Sequence, residues 1–535
     1  MNGHGGQLAL AALDGFGVKE IFTLSGGHLF PFYDACVKAE VPIYDVRHEQ
    51  TAAFAAEGIA KLTRRPGVAA LTAGPGITNG LSAVTTAMFN GSPLIVLGGR
   101  AGQARWGRGA LQELDHVPIL RPITKWATTV PATADIAKVV SEAAATAMTP
   151  HRGPVFVDFP IDVLYGTAEA DLTPPAPIAG EEPDPDLVAA AAALIRGAAR
   201  PCLVAGSDVY WEGAWESLRR CVETLRVPTF ANGLGRGCLP ADHELSFSRT
   251  RSALKRADVV VVVGAPLDFR LSFGQFGDAR VVHVVDSADH RASHVPDVLS
   301  PAGALAAVLD GMAAGGGPQR SHEEWIGELR DLEHSRRAEE EPILTATSDP
   351  IHPARVFGDL RHRLSPEAIV IGDGGDFVSW AGRLIDSYRP GCWMDPGPYG
   401  CLGTGLGYAM AARVAHPDRP VVLLLGDGAA GFSLMDVDSL VRHGLPVVMV
   451  VGNNGAWGLE KHPMRAVYGY DVAADLQPET RYDEVVRALG GAGELVRRHQ
   501  DIGPALDRAL ASGVPYLVNV VIDPEIPYPR TSSLG

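Results

Sequence analysis

Residues 426–454, GDGAAGFSLMDVDSLVRHGLPVVMVVGNN, constrain this chain more than any other stretch. The apolar run Val421 to Leu425 precedes them and reads as a buried parallel strand. Gly426, Asp427 and Gly428 stand at its exit. Phe432, Leu434, Val437, Leu440 and Val441 then form a helical apolar stripe, and Pro446 to Val451 reads as a second strand delivering Gly452, Asn453 and Asn454. The pattern predicts a βαβ unit with a carboxylate and a carboxamide at neighbouring strand ends, where open α/β sheets bind ligands. Asp427 and Asn454 are hard oxygen donors, suited to Mg²⁺ whose other positions are filled by phosphate oxygens. Gly428 and the amides after it allow an anion close approach. Either turn alone is common; their pairing across one helix and one strand carries the reading.

A chain of 535 residues exceeds one domain. With 46% hydrophobic and 20% charged residues it is globular, and 40 prolines with 61 glycines imply many turns between short elements. A formal charge of −16 argues against nucleic acid as partner. The six cysteines are scattered without a CxxC pair, which suits thiols in a reducing compartment. No signal peptide opens the chain, and no apolar run reaches the ~18 residues of a membrane span. A cytoplasmic protein without membrane contact is expected.

Strand and helix patterns alternate through three regions, predicting an α/β protein of three doubly wound parallel sheets. Residues 1–165 form the first domain. Its strand Ile21 to Leu24 opens into a flexible loop ending in His28. The strand Pro42 to Val46 leads to Arg47, His48, Glu49 and a helix rich in alanine. Val68 to Leu71 leads to Thr72-Ala73-Gly74-Pro75-Gly76, and Ser92 to Gly98 and Val155 to Asp158 follow. Residues 166–186 read as a linker rich in proline and acids. Residues 187–311 restart the alternation as a Rossmann-like domain, with small or acidic residues at four strand exits but no GxGxxG. Residues 312–347 read as a second linker carrying a highly charged helix. Residues 348–526 form the last domain, and 527–535 a tail able to fold over a site as a lid.

The GDG and NN pair resembles the diphosphate and magnesium signature of thiamine diphosphate (ThDP) enzymes. RHEQTAAFAAEGIAK followed by TAGPGITN is similar to the first domain of acetolactate synthases and 2-hydroxyacyl-CoA lyases. The resemblance spans the chain and implies pyrimidine-binding, central and diphosphate-binding domains in that order. It implies that Glu49 hydrogen-bonds the aminopyrimidine N1′ and promotes removal of the C2 proton. Leu402 would prop the cofactor into a V shape. Gly74, Asp376, Phe377, Gly400, Gly426, Asp427, Gly428, Ala429, Asn454, Ala456 and Trp457 would contact it, with Asp427, Asn454 and Ala456 at Mg²⁺. Active sites would lie between subunits of a homodimer or homotetramer. An inactive relative would lack Glu49, Asp427 or Asn454, and all three are present.

The two branches differ in detail. GALQELDHVPILRPITKW resembles acetolactate synthase and would place Gln112 at the site. DFRLSFG in the central domain, GPYGCLGTGLGYA at the leucine wedge, and Glu460 after Gly455-Ala456-Trp457-Gly458-Leu459 resemble the lyases. These features put reversible cleavage of a 2-hydroxyacyl-CoA to formyl-CoA and an aldehyde or ketone first, with acetolactate synthase as the alternative. In the lyase reading Glu460 moves the substrate hydroxyl proton, His28 contacts substrate, His48 orients its neighbours, and Arg270 and Arg530 contribute to CoA binding. ADP, FAD and a structural domain that binds neither all remain open for the central domain.

Overall fold

A computed structural model describes residues 1–172, 180–296 and 298–529 of the protein. The centre of the first expected linker, and Arg530 with the rest of the expected lid, lie outside the described residues. The first sheet runs edge to edge as Ile43–Asp45, Ile21–Leu24, Gly67–Leu71, Leu94–Arg100, Val155–Pro160 and Trp126–Thr129, all parallel. The last domain repeats this order with Trp393–Met394, Ile369–Asp373, Val421–Gly426, Val448–Asn453, Tyr516–Val521 and Ala492–Val496. In both sheets the second and third strands flank the first, so winding reverses there and a crevice opens at the carboxyl ends. The central sheet has four parallel strands, Thr229–Ala231, Pro201–Ala205, Val259–Val263 and Arg280–Val284. Its Val259–Val263 strand is five buried valines, as a sheet covered on both faces requires.

Three segments differ from expectation. Thr167–Glu169, inside the first expected linker, pairs antiparallel with Asn2–His4. In the second, Glu323–Leu344 is a 22-residue helix whose Trp325, Ile326 and Leu329 join the central core, with the Trp325 indole donating to the Pro201 carbonyl at 3.1 Å. The single helix expected after Asp427 is broken into Asp427–Ser433 and Val437–Arg442 by a 3₁₀ turn, Leu434–Asp436. Leu434, Val437 and Leu440 are buried, whereas Phe432 is 55% exposed. The break coincides with Asp436, whose carboxylate leaves the helix line to bond the first domain. Among the described residues no helix is long and apolar enough to cross a membrane.

The first and last domains meet through two helices, Glu49–Thr63 and Gly405–Ala415. Alanines and glycines let their backbones approach closely. A Cβ added at Gly58 would stand 2.7 Å from the Ala411 Cβ, and one at Gly407 would stand 2.7 Å from the Phe54 Cβ. One ion pair is sealed into this contact. Lys61 lies 3.1 Å from Glu57 and donates to the Tyr408 hydroxyl at 2.8 Å. Tyr408 in turn donates to Glu57 at 2.7 Å, and Asn90 and Ser92 donate to the same carboxylate at 2.9 and 3.0 Å. Such saturation is what makes a buried charge tolerable. Substitution Gly58→Val should overpack this contact and destabilise by about 1–3 kcal/mol, read as a lower urea midpoint. An unchanged midpoint would show that the helices can part without cost.

Candidate active site

The crevice of the last domain holds a cavity of about 230 Å³. The first strand's exit supplies Gly374, Gly375, Asp376 and Phe377, and the third strand's exit supplies Gly426, Asp427, Gly428 and Ala429. The fourth strand and the helix after it supply Gly452, Asn454, Ala456, Trp457, Gly458, Leu459 and Glu460, while Gly400 and Leu402 reach in from a loop. Every last-domain residue singled out in the sequence therefore converges on one wall. Gly374, Gly375, Gly452, Gly458 and Leu459 line it as well; the Gly372-Asp373-Gly374-Gly375 run was the available signal for the first two.

Asp427 and Asn454 meet because their loops are bonded together. One Asp427 oxygen accepts the Gly455 N–H at 2.6 Å and the other accepts the Gly428 N–H at 2.9 Å. The Asn454 oxygen accepts the Ala456 N–H at 3.1 Å. Burial pushes the Asp427 carboxyl up to about 6, against the pull of the Gly455 and Gly428 amides. A buried carboxylate beside a carboxamide oxygen fits a hard divalent cation, which would relieve that burial. Gly428 is required here because any Cβ would lie 2.3 Å from the Trp457 ring. Asn453 turns inward, donating to the Thr480 carbonyl and the Asn519 side chain, each at 3.0 Å.

Two further carboxylates brace the rim. Asp373, missed as a functional residue, accepts the Gly403 and Gly405 N–H groups at 3.1 and 2.8 Å and so pins the loop that carries Leu402. Burial pushes Asp373 up to about 7. Both Asp376 oxygens accept the Tyr528 N–H, at 3.0 and 3.1 Å, and the Tyr528 ring packs edge-on against Trp380. The described start of the tail thus lies against a cavity residue.

The first-domain residues form a second group at the equivalent sheet end, and none lines the cavity. Glu49 opens its helix, is 7% exposed, and accepts the Asn79 side-chain amide at 3.0 Å. His28 Nδ1 lies 3.2 Å from the Thr72 hydroxyl, and burial holds its pKa below the ordinary value. Gly74, with φ of +59°, is covered by Gln112, which itself has φ of +59°. The Gly74 N–H donates to His116 Nε2 at 3.0 Å, and His116 Nδ1 lies 3.2 Å from both Asp158 oxygens. His116 is the buried positioning group that the sequence did not reveal. His48 caps the Glu49 helix by accepting the Gln50 N–H at 3.1 Å.

At the central strand exits, His151 from the first domain lies 3.2 Å from Asp286 and 3.5 Å from Asp208. Burial works against its charge, yet the Asp208 and Asp286 carboxylates outweigh that and push it up to about 9. Arg152 Nε and Nη1, Asp286 Oδ1 and Asn232 Nδ2 are buried without partners. Unused guanidinium donors beside a strand-end carboxylate suit the phosphate and ribose of a nucleotide. Arg270 is instead paired with Asp268 at 2.7 Å, in a separate interdomain pocket with Ser207 and Asp395.

Comparison with known proteins agrees with this layout. The thiamine pyrophosphate enzyme N-terminal TPP binding domain matches residues 3–119, the central domain 188–312 and the C-terminal TPP binding domain 373–520. The chain is 51% identical over 538 residues to the acetolactate synthase large subunit IlvG of Mycobacterium tuberculosis, covering 99% of this chain and 98% of that one. It is 34% identical over 569 residues to 2-hydroxyacyl-CoA lyase 2 of Bos taurus, covering 97% and 90%, and 35% identical over 573 residues to that of Caenorhabditis elegans, covering 97% and 89%.

The raised Asp427 carboxyl makes cation binding depend on pH. The metal-free fold holds this proton more tightly than the unfolded chain, whose ordinary value is 3.8. Its contribution to stability is therefore present below 3.8 and lost as pH rises through about 6. A cation must displace the proton, so affinity for Mg²⁺ with inorganic diphosphate should fall about tenfold per unit below that value. Calorimetric titration from pH 5 to 8 measures this, and a flat profile, or unchanged affinity in Asp427→Asn, would exclude Asp427 as a ligand.

Proposed function

The chain belongs to the thiamine diphosphate enzymes, and we propose that it is a Mg²⁺-dependent carboligase joining 2-ketoacids, as an acetolactate synthase does. The observation carrying this reading is the 51% identity to acetolactate synthase over 99% of the chain. Local motifs alone favour the lyase; the whole-chain comparison reverses that order. Among the described residues no arginine or lysine lines the cavity.

Asp427, Asn454 and the Ala456 carbonyl would hold Mg²⁺ beside the cofactor diphosphate, for which Gly426, Gly428 and Ala429 would leave room. Leu402, Phe377 and Trp457 supply apolar walls. Bound there, the cofactor supplies a carbon that adds to a carbonyl and an electron sink for the C–C bond being broken or made. Glu49, fixed by Asn79, holds a proton at the pyrimidine nitrogen. That no first-domain residue lines the cavity supports a reading in which Glu49, Gly74, Gln112 and His28 act on the pocket of a second chain, with a dimer as the smallest active unit and a tetramer compatible. Exposed Phe432, Met435 and the stacked Phe89–Tyr399 pair suit that interface. A nucleotide, ADP or FAD, would sit at the central strand exits between Asp286 and the first domain's Arg152, whose buried donors support that reading.

The second reading, 2-hydroxyacyl-CoA lyase, is favoured by Glu460, a carboxyl that lines the cavity and would exchange a proton with the substrate hydroxyl. Acetolactate formed from pyruvate would support the first reading. A 2-hydroxyacyl-CoA formed from formyl-CoA and acetone, without acetolactate, would establish the second instead. Glu49→Gln should lower turnover by about 10²-fold or more without moving the unfolding midpoint, and a fully active variant would sink the cofactor assignment. Glu460→Ala should slow lyase turnover at least about tenfold while retaining cofactor; equal kinetics would make Glu460 a wall residue only.

A further inference from the structure

Glu49 must be held at its working position, and among the described residues its own domain supplies the Asn79 contact to its carboxylate and the His48 cap on its helix. A further grip comes from the last domain of the same chain. Asp436, 1% exposed, accepts the Arg47 N–H at 2.7 Å and the Thr51 hydroxyl at 2.6 Å, thereby bracketing Glu49 from both sides. Its remaining neighbour, the Ser439 hydroxyl, donates at 3.1 Å. The Gln50 side-chain amide donates to the Leu402 carbonyl at 3.2 Å. Outside this buried centre, Arg442 pairs with Asp45 at 2.9 Å and His443 Nε2 lies 3.1 Å from the Asp45 carbonyl. Those outer contacts are exposed and individually weak. Asp436 is enclosed, and its hydrogen-bond partners here, the Arg47 amide and the Thr51 and Ser439 hydroxyls, are all neutral, so its hydrogen bonds are strong and directional.

We propose that Asp436 is a positioning residue for Glu49, fixing the first turn of the Glu49–Thr63 helix so that the carboxyl is presented at one place. This rests on the cofactor assignment of Glu49 made above. Asp436 sits on the turn directly after the helix that Asp427 begins. The segment holding diphosphate and metal in one pocket therefore also sets the catalytic carboxyl that its own chain offers to another. Asp436 touches neither cofactor nor substrate, so its loss should leave the pocket's affinity intact while impairing what Glu49 does.

The test separates those two quantities. ThDP and Mg²⁺ are added to the full chain, and exchange of the cofactor C2 proton with D₂O is followed by quenched-flow NMR. Binding of Mg²⁺ with inorganic diphosphate is titrated in parallel. Asp436→Ala should slow exchange at least tenfold with diphosphate affinity unchanged within twofold. Asp436→Asn, which keeps an acceptor oxygen, should recover most of the rate, and Thr51→Val should lose about threefold. Unchanged exchange in a folded Asp436→Ala, or a parallel loss of diphosphate affinity, would overturn the proposal. If Asp436→Ala does not fold, Thr51→Val decides, and wild-type exchange in it is the overturning result. A wild-type protein that exchanges C2 no faster than free cofactor would defeat the cofactor assignment itself and this inference with it.

Discussion

Everything functional in this molecule hangs on the contact between the Glu49–Thr63 and Gly405–Ala415 helices. The first begins at Glu49, and the second follows directly from the loop that carries Leu402. Their packing therefore sets where both ends stand. Small residues bring the backbones close, which maximises dispersion contacts but leaves no slack for a shift. The sealed Glu57, Lys61 and Tyr408 cluster adds register, because sliding either helix would strand a buried charge. Gln50 then ties the start of one helix to the loop before the other.

The buried carboxylates divide the remaining work according to what faces each oxygen. Asp373 has both oxygens taken by backbone amides and serves as a brace. Asp436 has both taken across the domain boundary and serves as a clamp. Asp427 bonds two amides but also lines the cavity, so it retains lone pairs for a cation. Asp376, only half-buried, holds the start of the tail. Four aspartates of one domain thus do four things, and only partners and exposure distinguish them. That is the general reason a strand-exit aspartate cannot be assigned a role from its position alone.

The same limit explains what the sequence disclosed and what it withheld. Strands buried on both faces, such as Val259–Val263 and Val421–Gly426, were legible because a continuous apolar run has few other uses. Two edge strands were not: Trp126–Thr129 is half-buried along its length and Ala492–Val496 is interrupted by Gly493 and Glu494, so neither shows a run, whereas the edge strand Ile43–Asp45 was expected as Pro42 to Val46. Tyr516–Val521 was legible in principle, its Asn519 being the one polar interruption and bonded to Asn453. The strand-end residues of the cavity were legible because glycine-rich turns and hard donors at adjacent strand ends are a pattern suited to phosphate and metal, while Leu402, Phe377 and Trp457 came from the family resemblance. Asp436, Gln50 and His116 were not, since each acts on a residue remote in sequence, and nothing local announces such a partner.

Whole-chain identity and local chemistry then answer different questions. Identity reports the scaffold and its ancestry; the reaction depends on the few groups facing the reacting carbon. Here Glu460 is the carboxyl on the cavity wall that bonds neither a neighbouring loop nor the tail, and it is exposed, so water screens it. In the proposed carboligation a second 2-ketoacid would bring a carboxylate towards it, whereas an aldehyde or ketone acceptor would not. Identity therefore bears on the scaffold, and this one wall residue on which acceptor the scaffold admits.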